Sequence, residues 1–338
     1  MSGPSTMRAL QIVAMERSEV VEVPVPTPEA GQVLVRNLAV VTCNQFDLHI
    51  FAGKPMLDPT QPVTFPQPVG FPGHEWVGEV VEVGSAVKGF RVGDWVCQPG
   101  GRGQGASSPG GYAQYMLCPE SRLLRVPSDR DPLDLAPMEM ASCVAANIVE
   151  LRTINAIEGR RTAVSGLGPA GLIAAQMLRA EGAEEVIGIE VDAERAAYAL
   201  SAGVVDRVID PQGDGGRDLP LARQPGAIEV SVACAGYRPA VQYLMDHTSD
   251  IVSLFAVQRE PYSFEGWAVG RHQGLKLFGT PDRTPLSGEY AVRRVRNGSV
   301  DLRLTISHTM SLRDYDEALR LIANHQAMKV AFLPPELG

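Results

Sequence analysis

One hexapeptide of the chain has the composition of a phosphate-binding turn, Gly166-Leu167-Gly168-Pro169-Ala170-Gly171. In its G-x-G-x-x-G spacing, the first glycine permits a tight turn and the second lets the backbone approach a pyrophosphate. The third lets a helix pack closely against a strand. The start of that helix offers free N–H groups and the positive end of a dipole to the phosphates. The motif therefore predicts that a dinucleotide binds at this turn.

An acidic residue, Glu190, lies 19 positions after the last glycine, at the end of the next predicted strand. A carboxylate at this place accepts hydrogen bonds from the adenosine ribose and repels a 2′-phosphate, which favours NAD over NADP. Arg195 lies five residues further on. Its side chain could offset part of that repulsion, stack on the adenine, or simply be a solvated helix charge.

Strands and helices alternate around the glycine turn. Apolar strands are predicted at residues 162–165, 185–190, 205–209, 228–233 and 250–256, with helices at 170–180, 193–202 and 238–246. This alternation is typical of a doubly wound parallel sheet, the α/β architecture of Rossmann domains.

The regions before and after this alternating segment have different sequence patterns. Before residue 130, short apolar runs are separated by Gly and Pro, which predicts a β-rich barrel or sandwich. Residues 98–111 hold six glycines and are predicted to form a surface loop. The tail is mixed, with strands predicted at 302–306 and 328–333 and a helix at 312–324.

Composition limits the function. The 338 residues favour two domains, and the net charge of −9 disfavours binding to nucleic acid or to an anionic membrane surface. No run of about 18 apolar residues predicts a spanning helix. Five scattered cysteines do not form a disulfide framework, so we expect a reducing, cytoplasmic location.

Several short motifs together resemble the medium-chain dehydrogenase/reductase family, the zinc alcohol and polyol dehydrogenases and their zinc-free relatives. They run nearly from end to end of the chain: a first strand at Met7, Asp47-Leu48-His49, Gly73-His74-Glu75, Val92-Gly93-Asp94, Gly110-Gly111-Tyr112-Ala113, the glycine turn, and Lys329.

The resemblance implies a GroES-like β-rich catalytic domain in residues 1–145, completed by 283–338, and a Rossmann domain in 146–282. It also implies a small-molecule substrate and a homo-oligomer, and it places Lys329 at the cofactor phosphates. The alternative for Lys329 is a solvated strand lysine.

The resemblance also bears on a catalytic zinc ion. The family pattern is Cys-x-x-Asp-x-His, then Gly-His-Glu, then a Cys or Glu near residue 140, which implies His74, Glu139 and either Glu75 or Cys43 as ligands. The cysteine position itself holds Asn44, and Cys43 comes one residue early. On a strand, such a shift turns the side chain to the opposite face unless a bulge intervenes. Occupied and empty sites both stay open. No structural zinc is expected, because only Cys97 follows Asp94 where that site needs four cysteines.

The candidate catalytic residues are His49, Asp47, Asn44 and Phe46. A neutral His49 imidazole suits proton acceptance from the substrate, with a surface histidine as the alternative. Phe46 replaces the usual relay Ser or Thr and cannot pass a proton. We therefore expect an NAD-dependent dehydrogenase acting on a secondary alcohol, polyol or sugar-like hydroxyl. The alternatives are a zinc-free reductase of a conjugated double bond, to which Asn44 and Phe46 point, and a dinucleotide-binding protein without turnover.

Overall fold

Two structural units divide the chain in the computed structural model of the protein. The terminal unit comprises Met1–Ser142 and Thr305–Gly338, and the central unit comprises Cys143–Leu304. The structure describes residues 4–56, 60–99, 110–217, 219–257, 263, 269, 274–281 and 283–334. Residues 100–109 of the predicted glycine loop therefore lie outside the described part of the chain.

Short strands dominate the chain. In chain order the strands are β1 Thr6–Ala14, β2 Arg17–Pro24, β3 Gln32–Val41, β4 Glu75–Val83, β5 Trp95–Cys97, β6 Tyr115–Pro119, β7 Leu124–Arg125, β8 Arg161–Ser165, β9 Glu185–Ile189, β10 Arg207–Ile209, β11 Ile228–Ala233, β12 Thr248–Leu254, β13 Lys276–Phe278, β14 Ile306–Met310 and β15 Lys329–Phe332. The helices are α1 Asn44–Phe51, α2 Met138–Thr153, α3 Pro169–Ala180, α4 Ala193–Ser201, α5 Arg238–His247, α6 Pro285–Arg296 and α7 Tyr315–Ala323. No helix in these described ranges is long and apolar enough to cross a membrane.

The terminal unit is built on a seven-stranded sheet. Its strand order is β14-β15-β3-β4-β5-β7, β6 also pairs with β3, and β1 and β2 form a separate antiparallel pair. Trp76, Tyr112, Tyr315 and Phe332 are fully buried in its hydrophobic core. This is the β-rich domain that the Gly- and Pro-punctuated runs predict.

The central unit contains a six-stranded sheet of order β10-β9-β8-β11-β12-β13, in which every neighbouring pair is parallel. β8 and β9 are buried along almost their whole length, as parallel strands between layers require. The strand order reverses between β8 and β11, which is the topological switch point where doubly wound sheets bind ligands. The predicted α/β class and Rossmann sheet are confirmed.

Two expectations about the tail need correction. Residues 303–305 form a 3-10 turn, and the strand begins only at Ile306. The terminal unit resumes at Thr305 rather than at residue 283. The reason is that α6 belongs to the central unit: Arg294 of α6 forms an ion pair with Glu181, and the backbone of Asp301 exchanges hydrogen bonds with the side chain of Gln176.

Candidate metal centre and dinucleotide-binding site

Three segments that are far apart in the sequence meet at one end of the terminal sheet. Glu75, the first residue of β4, is the register partner of Val41, the last residue of β3. Ala331 of β15 pairs with the same Val41 from the other side. Because β3 lies between β4 and β15, Cys43, which follows β3, and Lys329, which begins β15, both lie beside the start of β4.

Cys43, His74 and Glu75 form a group with the chemistry of a metal site. One ligand atom from each residue lies within 4.8 Å of the other two. Glu75 is fully buried, and its Oε2 atom has no hydrogen-bond partner among the residues that the structure describes. A buried carboxylate oxygen without a partner is costly, and a cation would satisfy it. Thiolate, imidazole and carboxylate are the ligands that zinc takes in proteins, so the residues present fit a zinc ion.

Lys329 holds the other oxygen of this carboxylate. Its Nζ lies 2.6 Å from Glu75 Oε1 and donates to the carbonyl oxygen of Thr42 at 2.8 Å, and both charged side chains are buried. Burial lowers the pKa of Lys329, but Glu75, Cys43 and Glu139 together raise it by more, so the net shift is upward. The contacts shown for this ammonium are thus within the terminal unit. A contact with cofactor phosphates stays a prediction, and a solvated lysine is excluded.

The electrostatics of the group favour a bound cation. Burial raises the pKa of the Cys43 thiol well above its ordinary value, and the Glu75 carboxylate raises it further. Burial likewise raises the pKa of Glu75. Glu139, in the first turn of α2, contributes to both shifts, although it lies outside the group of three ligands. A metal ion would reverse these shifts, because thiolate and carboxylate are the forms that bind it.

The argument from strand alternation, which brings Cys43 into the site only through a bulge, does not hold here. It assumed that β3 continues through this segment, whereas β3 ends at Val41 and α1 begins at Asn44 with Cys43 as its N-cap. The alternation of strand faces therefore does not apply. Asn44, at the family's cysteine position, instead donates from Nδ2 to the carbonyl oxygen of Met328 at 2.5 Å.

The other predicted catalytic residues lie on α1. The Phe46 ring meets the His74 ring edge-on, with centroids 5.2 Å apart, so it packs against a candidate ligand. Asp47 is fully buried and accepts a hydrogen bond from the backbone N–H of Cys43 at 3.0 Å. His49 is half-buried, with Nδ1 3.5 Å from the carbonyl oxygen of Pro55, and its role in proton transfer stays a prediction.

Sequence reasoning assigned no role to two tyrosines at this site. The hydroxyls of Tyr112 and Tyr315 both donate to Oδ1 of Asp47. Tyr112 could have been found, because it follows two glycines in a motif shared with the family. Tyr315 begins α7 in an ordinary amphipathic segment and carries no such signal.

The glycine turn in the central unit has the predicted geometry. Gly166 has φ +81°, in the left-handed region that favours glycine. A Cβ atom at Gly171 would lie 1.9 Å from the carbonyl oxygen of Gly166, so the third glycine permits the close packing of α3. A Cβ atom at Gly168 would meet nothing within 4 Å, which leaves space beside the helix N-terminus. Pro169 is the first residue of α3, where its missing N–H costs no helical bond.

Glu190 holds this turn from the end of β9. Its Oε2 accepts from the N–H of Leu167 at 2.7 Å, and its Oε1 accepts from the N–H groups of Val191 and Asp192. The carboxylate is therefore fixed beside the backbone of the glycine turn. Arg195 on α4 lies 3.8 Å from Asp192 in an ion pair.

Comparison with known proteins agrees with this geometry. Residues 29–128 match the family model of the alcohol dehydrogenase GroES-like domain. Sorbitol dehydrogenase of Halalkalibacterium halodurans is 27% identical over 93% of this chain and 94% of its own length. L-threonine 3-dehydrogenase of Pyrococcus furiosus is 28% identical over 94% of this chain and 95% of its own.

A solved structure is similar over the same extent. The crystal structure of a zinc-binding dehydrogenase from Sinorhizobium meliloti bound to NADP is 25% identical, with a TM-score of 0.81 and coverage of 98% of this chain and 100% of that one. The GroES-like match lies in the terminal unit, and the dinucleotide turn lies in the central unit. The chain is therefore similar, over nearly its whole length, to zinc-type dehydrogenases of the medium-chain dehydrogenase/reductase family.

Proposed function

We propose that this protein is an NAD-dependent dehydrogenase that oxidises a secondary alcohol, a polyol or a sugar-like hydroxyl, with one zinc ion held by Cys43, His74 and Glu75. The observation that carries the proposal is the buried Oε2 of Glu75, which lies beside a thiol and an imidazole and has no hydrogen-bond partner in the described part of the chain. A site without a cation would leave that oxygen unsatisfied.

The residues have separate tasks in this proposal. A bound zinc ion supplies Lewis-acid polarisation of the substrate oxygen. Lys329 orients Glu75 through Oε1 and leaves Oε2 free to bind. Phe46 packs against the His74 ring and keeps water from that edge. His49 accepts the hydroxyl proton, as a neutral imidazole can near pH 7.

The direct test uses the wild-type protein purified without chelator. We expect about one zinc ion per chain and NAD-dependent turnover on a panel of secondary alcohols and polyols. Two ions per chain would contradict the absence of a structural zinc site. Reduction of an enone by metal-free protein, with no alcohol oxidised, would identify the zinc-free reductase instead. Tight NAD binding without any turnover would identify a non-catalytic dinucleotide-binding protein.

We expect NAD to bind far more tightly than NADP. Because a similar structure is bound to NADP, the family leaves both cofactors open, and the preference rests on Glu190. At an effective dielectric constant of about 20, like charges about 5 Å apart repel by roughly 3 kcal/mol, which corresponds to about a hundredfold in Kd. Fluorescence titration with both cofactors measures the ratio.

A pair of variants assigns that preference to its residue. Glu190→Gln removes the charge and should narrow the ratio of the two Kd values, whereas Glu194→Gln, an exposed change in the first turn of α4, should leave it unchanged. Equal binding of both cofactors by the wild type would overturn the assignment.

We also propose that the protein acts as a homo-oligomer in the cytoplasm. β13 lies at the end of the central sheet with β12 as its neighbour, and such an edge strand can pair with another copy. The five cysteines all lie in the described part of the chain and none of them forms a disulfide bond, as a reducing compartment allows. Light scattering should give a mass at least twice that of the 36.3 kDa chain.

A further inference from the structure

Asp47 is a buried carboxylate that is fixed from three directions. Its Oδ1 accepts hydrogen bonds from the hydroxyls of Tyr112 at 2.5 Å and Tyr315 at 2.8 Å, and its Oδ2 accepts from the backbone N–H of Cys43 at 3.0 Å. Burial raises the pKa of Asp47, while the three donors and the charge of His74 act against that shift. Removing either hydroxyl would leave Oδ1 with a single phenolic donor.

Tyr112 connects this carboxylate to the segment that carries His74. The backbone of the same turn bonds to the chain just before His74, since Gly111 donates its N–H to the carbonyl oxygen of Gly73 at 2.5 Å. A Cβ atom at Gly73 would lie 2.5 Å from the nitrogen of Tyr112, so the two segments are in direct contact. One residue thus contacts the His74 segment through its backbone and the Cys43 segment through Asp47.

Tyr315 fixes the carboxylate from the other end of the chain. Its ring packs against Phe51 and Tyr112 with centroid distances of 5.9 and 5.1 Å, and against Phe332 at 5.9 Å. All four rings lie in the core of the terminal unit. Such packing leaves a hydroxyl little freedom, so its position is set by the fold.

We propose that Tyr112 and Tyr315 are positioning residues that hold Cys43 and His74 at the separation a metal ion needs, acting through Asp47. The inference rests on the proposed metal site. In this role neither tyrosine contacts the metal, the cofactor or the substrate. Groups behind the ligands commonly change metal affinity by about 10–100-fold.

The test measures metal affinity in the full-length protein with cobalt(II), whose visible bands report ligand geometry. We expect Tyr112→Phe and Tyr315→Phe each to raise the Kd for cobalt about tenfold, from the lower end of that range, and to shift the visible bands. The matched control is Tyr115→Phe on β6, a half-buried tyrosine of the same unit, which should bind as the wild type does. Thermal melting of the metal-free proteins shows whether each variant is folded.

The outcomes separate this inference from the proposed function. Variants that melt at a lower temperature but bind cobalt with wild-type affinity and spectrum would show that the hydroxyls only stabilise the fold, which overturns the inference alone. Wild-type protein that binds no cobalt would overturn the metal site and this inference together. Weaker binding with altered bands in both variants, and an unchanged Tyr115→Phe, supports it.

Discussion

Lys329→Met should lower the free energy of unfolding by about 3–5 kcal/mol, because it leaves the Glu75 carboxylate buried without its counter-ion. The matched control is Lys276→Met, since Lys276 pairs with Asp250 at an exposed site and such a pair contributes at most about 1 kcal/mol. Denaturant unfolding of metal-free protein measures both changes. Metal must be removed first, because a ligand that binds the native state hides part of the loss.

The pH dependence of the Lys329→Met defect has a definite sign. Burial raises the pKa of Glu75, and the Lys329 ammonium is the largest influence that opposes this shift, so its removal raises the pKa of Glu75 further. A carboxyl group whose pKa is raised in the native state is stabilised while it is protonated, and that contribution is lost as the pH rises through the native pKa. The defect should therefore be larger at pH 8 than at pH 5. Adding Glu75→Gln to Lys329→Met should recover most of the stability, and failure to do so would mean that the lysine stem, not the charge, is what the core needs.

His74→Ala should abolish metal binding and reduce turnover by about a thousandfold, which corresponds to roughly 4 kcal/mol of transition-state stabilisation. NAD affinity should not change, because its phosphate contacts are expected at the glycine turn of the central unit. Metal analysis, steady-state kinetics and NAD titration measure the three quantities. The control is His308→Ala, a change at an exposed histidine of the same unit.

A second pair of variants decides which residue of α1 is the ligand. Cys43→Ala should lose the metal, whereas Asn44→Ala should keep it, since the amide of Asn44 is engaged by the backbone of Met328. A His74→Ala protein that retains full metal would mean that the ion binds elsewhere. Brisk alcohol oxidation by metal-free wild type would show that another group activates the hydroxyl.

Sequence periodicity predicted five of the six strands of the central sheet, but it predicted neither β13 nor α6. The predicted strands are short and rich in apolar residues, and the glycine turn fixes where the first βα junction lies. The predicted β11 has the observed bounds. The position of Glu190 at the end of the next strand could then be predicted from its spacing to the glycine turn. These features are local, and local patterns are what a single sequence records.

The metal site was harder to predict because it depends on where one strand stops. Whether Cys43 faces Glu75 is decided by the change from β3 to α1, and element ends are the least certain part of any pattern. The role of Lys329 was equally hard to predict. Its sequence context does not show that β15 lies next to β3, and that neighbour relation is what buries its ammonium against Glu75.

The strand order β15-β3-β4 also has a consequence for biosynthesis. The ribosome releases the thiol, the imidazole and the carboxylate in the first quarter of the chain, but the ammonium that pairs with Glu75 follows it by 254 residues. The seven-stranded sheet of the terminal unit therefore stays incomplete while the Cys143–Leu304 unit is translated. That central unit can fold in the meantime. Metal loading should consequently be a late, post-translational event, and ribosome-bound chains should compete poorly for zinc.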